Sequence, residues 1–271
     1  MSHPLLKVLP SLCLGLLLVS TVDLRAQTVV PDDEWCDASS SGDSRSERFC
    51  EVREYSLDPR GLVRVDAAPN GGISVEGWDR NEISMRVMVQ SWSRQGDPAA
   101  IAHDVAIQTG ATISAEGPRM GNREGWSVSF RLLVPRNSDL ELESSNGGIR
   151  IVGVQGEMDF STLNGGIYLE DVAGDVEGRT TNGGVDVRLA GSQWDGTGLD
   201  VVTVNGGVTL RIPEDYRATL TTGTVNGGFE TDFPITIQGR LRSRSITTDL
   251  NGGGPEIKVS TTNGGVRIRA G

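Results

Sequence analysis

The chain is short of the residues from which most catalytic and metal sites are built, with two histidines and three cysteines in 271 residues. No Gly-x-Ser-x-Gly, His-Glu-x-x-His or phosphate-loop pattern occurs in it. That removes the usual signatures of a serine hydrolase, a zinc protease and a nucleotide-binding loop. Basic residues are also few, 25 against 36 acidic for a net charge of −11. Nucleic acid is therefore not an expected partner, because phosphate binding needs a basic face. The same deficit argues against attachment to anionic lipid by charge alone. Aromatic residues make up 5% of the chain, so platforms for stacking on sugars are scarce. Long apolar runs are absent with one exception, the 15 residues from Val8 to Val22, which fall short of the roughly 20 that span a hydrocarbon core.

That exception has an order of its own. Lys7 precedes it and Leu24-Arg25-Ala26-Gln27 follows it, the layout of a secretory signal with a cleavage site. Residues 1–26 are expected to be removed between Ala26 and Gln27, taking Cys13 with them. The expected product is exported, whether periplasmic, cell-surface or secreted, and has no transmembrane span. It keeps 23 basic and 35 acidic residues, a charge near −12. Its two cysteines, Cys36 and Cys50, are an even pair, and in an oxidising compartment the simplest expectation is one disulfide. The segment between them is rich in serine and charge, and closing a loop of that length contributes about 3 kcal/mol in the chain-entropy model.

What the sequence has in abundance is one tripeptide. Asn-Gly-Gly begins at Asn70, Asn146, Asn164, Asn182, Asn205, Asn226, Asn251 and Asn263, with 18 residues from Asn146 to Asn164 and 18 again to Asn182. Recurrence at a fixed period marks a solenoid, propeller or array. Three positions after the asparagine stand Ile73, Ile149, Ile167, Val185, Val208, Phe229 and Val266, with Gly254 the exception. Two residues further come Val75, Ile151, Leu169, Val187, Leu210 and Ile268, the alternation of a strand with one buried face. Thr162, Thr180, Thr203, Thr224 and Thr261 recur two positions before it. A second break, such as Gly153 to Gly156 or Ala173-Gly174, divides each unit into two short strands.

Glycine enters positive φ without steric cost and asparagine tolerates it, so the tripeptides are expected to be structural turns. Stacked asparagine amides can also hydrogen-bond to one another along a coil. Two arrangements fit the turns: a coil in which each unit covers its neighbour's apolar face, and a meander of hairpins. Recurrence of the same apolar residues at the same offset favours the coil. It places Ile149 beside Ile167, and Ile167 beside Val185.

Ahead of the regular units, Arg60 to Ser91, Ala111 to Ala115 and Trp126 to Val134 read as strands. Asp97-Pro98 opens a short helix as N-cap and first helical residue. This region is expected to cap the open end of the coil.

The run Asn70-Gly71-Gly72-Ile73, then Gly77-Trp78-Asp79, Val134-Pro135 and the serial Asn-Gly-Gly-Ile/Val turns resembles the bacterial adhesin-like domain family of DUF4097-like β-solenoids. The resemblance covers about residues 60 to 271 and implies an all-β coil at the cell envelope or surface. The organisation expected is a signal peptide at 1–26, an N-terminal segment at 27–59 holding the disulfide, and a solenoid domain at 60–271. Within that domain, 60–135 form the capping part and 136–271 the regular repeats.

Chemistry beyond binding finds little support. His103 sits on the expected helix with no nucleophile motif around it. Asp171, Asp175, Asp186, Asp195 and Asp200 do not keep one offset from the repeat, as calcium-binding turns require. A lyase or glycosidase would need paired carboxylates; Asp159, Glu170, Asp171 and Asp186 are candidates, with Tyr168 and Trp194 as stacking rings. The short loops argue against a walled cleft. The expectation is therefore no enzyme, no cofactor and no metal, but a binding or adhesin-like protein whose partner is an envelope or extracellular glycan or protein. A self-assembling envelope scaffold is the alternative, and no oligomeric state follows from the repeat.

Overall fold

The computed structural model describes residues 28–30, 34–38, 46–119, 121, 123–232 and 245–271. The expected signal, Cys13 and the cleavage point at Ala26 and Gln27 lie outside the described residues. The chain is all-β, and its described residues form two stacked sheets of eleven and ten strands and two short helices, Glu34–Ala38 and Pro98–His103. The second helix is the one expected from the sequence, with Asp97 capping the Ala99 N–H and Pro98 at its start. The first was not expected.

Each regular unit supplies one strand to each sheet. In the eleven-stranded sheet, Ile149–Val152, Ile167–Glu170, Val185–Arg188 and Val208–Ile212 run parallel, with Ile149 beside Ile167 and Ile167 beside Val185. In the ten-stranded sheet, Asp139–Asn146, Gln155–Asn164, Ala173–Asn182 and Gly198–Asn205 do the same. The coil is thus the arrangement adopted. Inward residues of both sheets meet in one continuous core running from Val63 to Ile268. Among the described residues antiparallel pairing is confined to the two ends. At one, Glu47–Leu57, Ile83–Ser93 and Glu124–Pro135 form a mat that closes the stack. At the other, Ser245–Leu250 lies against Ala218–Asn226.

The coils do not stack in chain order. The unit built from Glu256–Asn263 and Val266–Ala270 lies between the unit of Gly198–Asn205 and Val208–Ile212 and that of Ala218–Asn226 and Phe229–Thr231. Asn205 is therefore in register with Asn263, and Asn263 with Asn226.

The Asn-Gly-Gly corners work differently from the positive-φ turns that the tripeptide suggests. Of the eight asparagines only Asn251 has positive φ, at 48°. The first glycines of six corners, Gly147, Gly165, Gly183, Gly206, Gly227 and Gly264, do not have it either. They are needed because the coils approach so closely there: a Cβ on Gly165 would lie 2.0 Å from the Gly147 carbonyl oxygen, and one on Gly183 equally close to Gly165. Left-handed residues gather instead at the second bend, at Gly153, Asp171, Gly174, Gly191 and Gly196.

Tight stacking lets the corner join side chain to backbone. Thr162 donates to the Gly147 carbonyl at 2.8 Å, and Thr180, Thr203, Thr261 and Thr224 repeat the bond on their neighbours. Ser144 does the same to Gly71. The asparagine amides form a ladder, 70–146–164–182–205–263–226, with every link between 2.8 and 3.0 Å. Asn251 stands outside it and donates to the carbonyls of Glu214 and Tyr216.

One core position breaks the rule that buried polar atoms are paired. Thr222 is 1% exposed, stands in register with Val259, and its hydroxyl has no partner among the described residues. Thr222→Val keeps the shape and removes the orphan. It should stabilise the protein by about 1 kcal/mol, read as a higher urea midpoint with an unchanged slope; a lower midpoint would show that the hydroxyl is satisfied in solution.

Candidate functional site: the two outer faces

Alternation turns every second residue of each strand outward, so chemistry can gather only where outward residues of neighbouring strands come into register. On the ten-stranded sheet the register sets Glu141, Asp159, Glu177 and Asp200 opposite one another across four adjacent strands. Like charges directly opposite one another destabilise a sheet. The row is closed at both ends by cations. Arg64 donates to Glu141 at 2.6 Å and Lys258 to Asp200 at 2.5 Å. The hydrogen bond to Asp200 holds the Lys258 ammonium above the usual lysine range. Asp159 and Glu177, inside the row, have no cationic partner among the described residues. Asp139, Glu143 and Glu157 add to the same face and, with Arg64, Glu141 and Asp159, line a shallow groove of about 630 Å³.

The opposite face carries arginine and aromatic side chains. Arg150 stacks on Tyr168 at 4.1 Å, Arg188 approaches the same ring at 5.1 Å, and the Tyr168 hydroxyl donates to Glu170. Nearer the capping mat, Arg131 stacks on Trp35 at 3.8 Å. Trp35 is held there by its helix, which Cys36 ties to the strand Glu47–Leu57 through the disulfide with Cys50. The cysteine pair thus fastens a side chain over the sheet as well as stapling a loop.

Of the candidate carboxylates named from the sequence, Glu170 and Asp186 share one face, with Arg188 between them 4.0 Å from Glu170 and 3.9 Å from Asp186, and the other two lie elsewhere. Asp159 faces out of the ten-stranded sheet, Glu170 and Asp186 out of the eleven-stranded one, and Asp171 lies at the second bend. With the core between Asp159 and Glu170, those two cannot act across one substrate, and the pair that does share a face, Glu170 and Asp186, is bridged by Arg188. Asp175 and Asp200 lie on the acidic face, while Asp186 is engaged by Arg211 and Asp195 accepts from Gln155. Among the described residues no three of Asp, Glu, His and Cys are grouped to hold a metal. Trp194 is 3% exposed and donates to the Gly174 carbonyl, which makes it a plug of the second bend. His103 is exposed, lies 4.0 Å from Glu51 and meets the Phe49 ring edge-on. Tyr168 alone of the named ring candidates faces solvent. Arg131, Arg150, Glu141 and Glu177 were not singled out from the sequence, where each reads as one more charge on a solvated strand.

The profile of the family described as Toastrack DUF4097 matches residues 100–269. This chain belongs to that family. Solved structures similar to this Toastrack chain include a provisionally assigned cell adhesion protein from Clostridium sporogenes, 10% identical, covering 83% of this chain and 100% of its own at a TM-score of 0.44. A provisionally assigned adhesin from Bacteroides fragilis is 12% identical, covers 82% of this chain and 97% of its own, and has a TM-score of 0.32. A provisionally assigned lipid-binding protein from Parabacteroides distasonis is 11% identical, covers 84% of this chain and 98% of its own, and has a TM-score of 0.33. No curated protein matches the chain. Among the described residues no helix is long and apolar enough to cross a membrane.

Proposed function

We propose that this Toastrack protein is exported to the bacterial cell envelope and acts there by binding, without turnover, with the acidic outer face as its contact surface. The observation that carries this reading is the in-register row Glu141, Asp159, Glu177 and Asp200. A sheet that sets like charges opposite one another gives up stability, and local rules are broken in this way chiefly at functional sites. The row repeats at strand spacing, about 4.8 Å, so its complement is an extended partner carrying several cationic groups. Export rests on the signal layout at residues 1–26 and on the disulfide, which suits an oxidising compartment. The row lies along an open sheet face with a shallow groove and no walled cleft, which favours binding over catalysis.

The test is retention of the protein on immobilised envelope polymers and on poly-lysine across a salt series, with assays for new reducing ends and unsaturated sugars. Retention on poly-lysine should fall steeply with salt. It should drop at least tenfold in the double variant Asp159→Asn/Glu177→Gln, with no product formed from any polymer. Specific sugar products would replace the binding reading with a catalytic one. Retention unchanged in the double variant would remove the acidic row from it.

A further inference from the structure

All eight Asn-Gly-Gly corners carry the dipeptide most prone to spontaneous deamidation, because glycine has no side chain to hinder attack by its own amide nitrogen on the asparagine carboxamide. The reaction needs that nitrogen deprotonated and free to turn, and at six corners the stack withholds it. The N–H groups of Gly71, Gly147, Gly165, Gly183, Gly206 and Gly264 each donate, at 3.0 or 3.1 Å, to the main-chain carbonyl of the ladder asparagine one coil further along. That bond must open before the nitrogen can ionise, so each asparagine carbonyl shields the glycine of the coil before it. The shield runs out with the stack. Asn226 covers Gly264 with its own carbonyl, but among the described residues the Gly227 N–H has no acceptor. Phe229–Thr231 is an edge strand, and Ser245–Leu250, paired with Ala218 to Gly223, stops short of the corner. Residues 225–228 are all exposed. The Gly252 N–H likewise has no acceptor among the described residues, but there the Asn251 amide is held by two main-chain carbonyls, those of Glu214 and Tyr216, at 2.9 Å each. Asn226 donates instead to the side chain of Asn263, at 2.8 Å, an amide that can turn with it.

We propose that Asn226 is a modification site of this protein, deamidating ahead of the other Asn-Gly corners, and that the order of the ladder sets the order in which the rest follow. In the step, the Gly227 nitrogen gives its proton to hydroxide or water and bonds to Asn226 Cγ. The Cγ–Nδ2 bond breaks, and the amide nitrogen takes a proton from solvent and leaves as ammonia. Water then opens the resulting succinimide ring at either carbonyl, giving aspartate or isoaspartate, so each event consumes one water, releases one ammonia and adds one carboxylate. Either product ends the ladder bond, since a carboxylate has no hydrogen to give to Asn263 Oδ1. Isoaspartate goes further, because it puts an extra methylene into the main chain and displaces the carbonyl that accepts from Gly264. The nitrogen after Asn263 is then uncovered. Reaction therefore passes from Asn226 to Asn263 and from there to Asn205, in the order of stacking rather than of sequence.

The experiment is incubation of the full chain in mildly alkaline buffer, folded and in guanidinium chloride, with peptide mapping of the positions where an amide has become an acid. In denaturant the corners, identical in their tripeptide, should react at similar rates. In the folded protein Asn226 should react at least about tenfold faster than any of the six shielded asparagines, the factor set by a hydrogen bond that must open first, and faster than Asn251. Among the six, Asn263 should be the first to follow. Hydrogen exchange should order the amides in the same way, with Gly227 fast and Gly165 slow, since both processes read the opening of the corner. Asn226→Gln, whose longer side chain closes a ring far more slowly, should remove the early phase of ammonia release. An early phase that survives Asn226→Gln, a shielded asparagine or Asn251 reacting before Asn226, another of the six reacting ahead of Asn263, slow exchange at Gly227, or rates as uneven in denaturant as in the folded chain would each overturn the proposal.

Discussion

Gly165→Ala should cost about 3 kcal/mol or more, at the upper end of what overpacking a tight site costs, and lower the melting temperature by roughly 6–12 °C. The methyl group would lie 2.0 Å from the carbonyl oxygen of Gly147 and 2.4 Å from its carbon, both backbone atoms of the next coil. Neither coil can retreat alone. Each is bonded through its corner to the next, with the Gly147 N–H donating to Asn164 and the Gly165 N–H to Asn182. The comparison that decides the cause is Gly165→Asn. If the corner required positive φ, asparagine would be tolerated better than alanine; with close approach as the cause, both fail alike. Gly191→Asn is the control, since Gly191 has φ +72° with nothing within 4 Å of its Cβ position, and it should cost less than about 1 kcal/mol. A tolerated Gly165→Asn would restore the dihedral explanation.

Phe160→Ala should destabilise by about 3–5 kcal/mol, the usual range for a buried phenylalanine. Phe160 is fully buried in the ten-stranded sheet, and its ring covers the glycine beside it: a Cβ on Gly178 would lie 2.0 Å from Phe160 Cε2. The two positions share one volume unequally, while the neighbours in the same column, Val201 and Val259, divide theirs evenly. Phe160→Val with Gly178→Val should therefore be milder than the sum of the two single changes, with a coupling of at least about 1 kcal/mol. Additive effects in a urea-melt double-mutant cycle would show that the ring and the glycine pack independently.

Much of this architecture could be read from the chain because it is local. The offset between Asn164 and Ile167 is the same as between Asn182 and Val185, and a strand that alternates about such a corner can cover its neighbour in one register only. The capping helix was legible for the same reason, as Asp97 and Pro98 carry their own start signal. Stacking order was not, because Asn226 and Asn263 have the same local pattern, and which of them lies on Asn205 depends on contacts far away in sequence. The reason for the glycines was hidden too: positive φ and close approach both demand glycine, and only the neighbouring coil tells them apart. The two faces were least legible of all. Arg150 and Arg131 become neighbours across Ser74 through pairings that span more than fifty residues, and Trp35 joins them from a helix with no clear signal of its own.

The displaced coil has a consequence for the order in which the molecule can be made. Residues 198–212 form a surface whose native neighbour, 256–270, is synthesised after the unit at 218–231. A chain that folds as it emerges meets that earlier unit first, with the same Asn-Gly-Gly corner and similar columns, in which Thr222 and Thr231 stand where the native neighbour has Val259 and Ile268. Growth of the stack from one end by simple addition is therefore closed to this protein beyond Ile212. Either the unit at 218–231 waits undocked, or a wrongly stacked coil must come away before 256–270 can slide between. Repetition, which makes each coil a good partner for the next, here makes two of them rivals for one place.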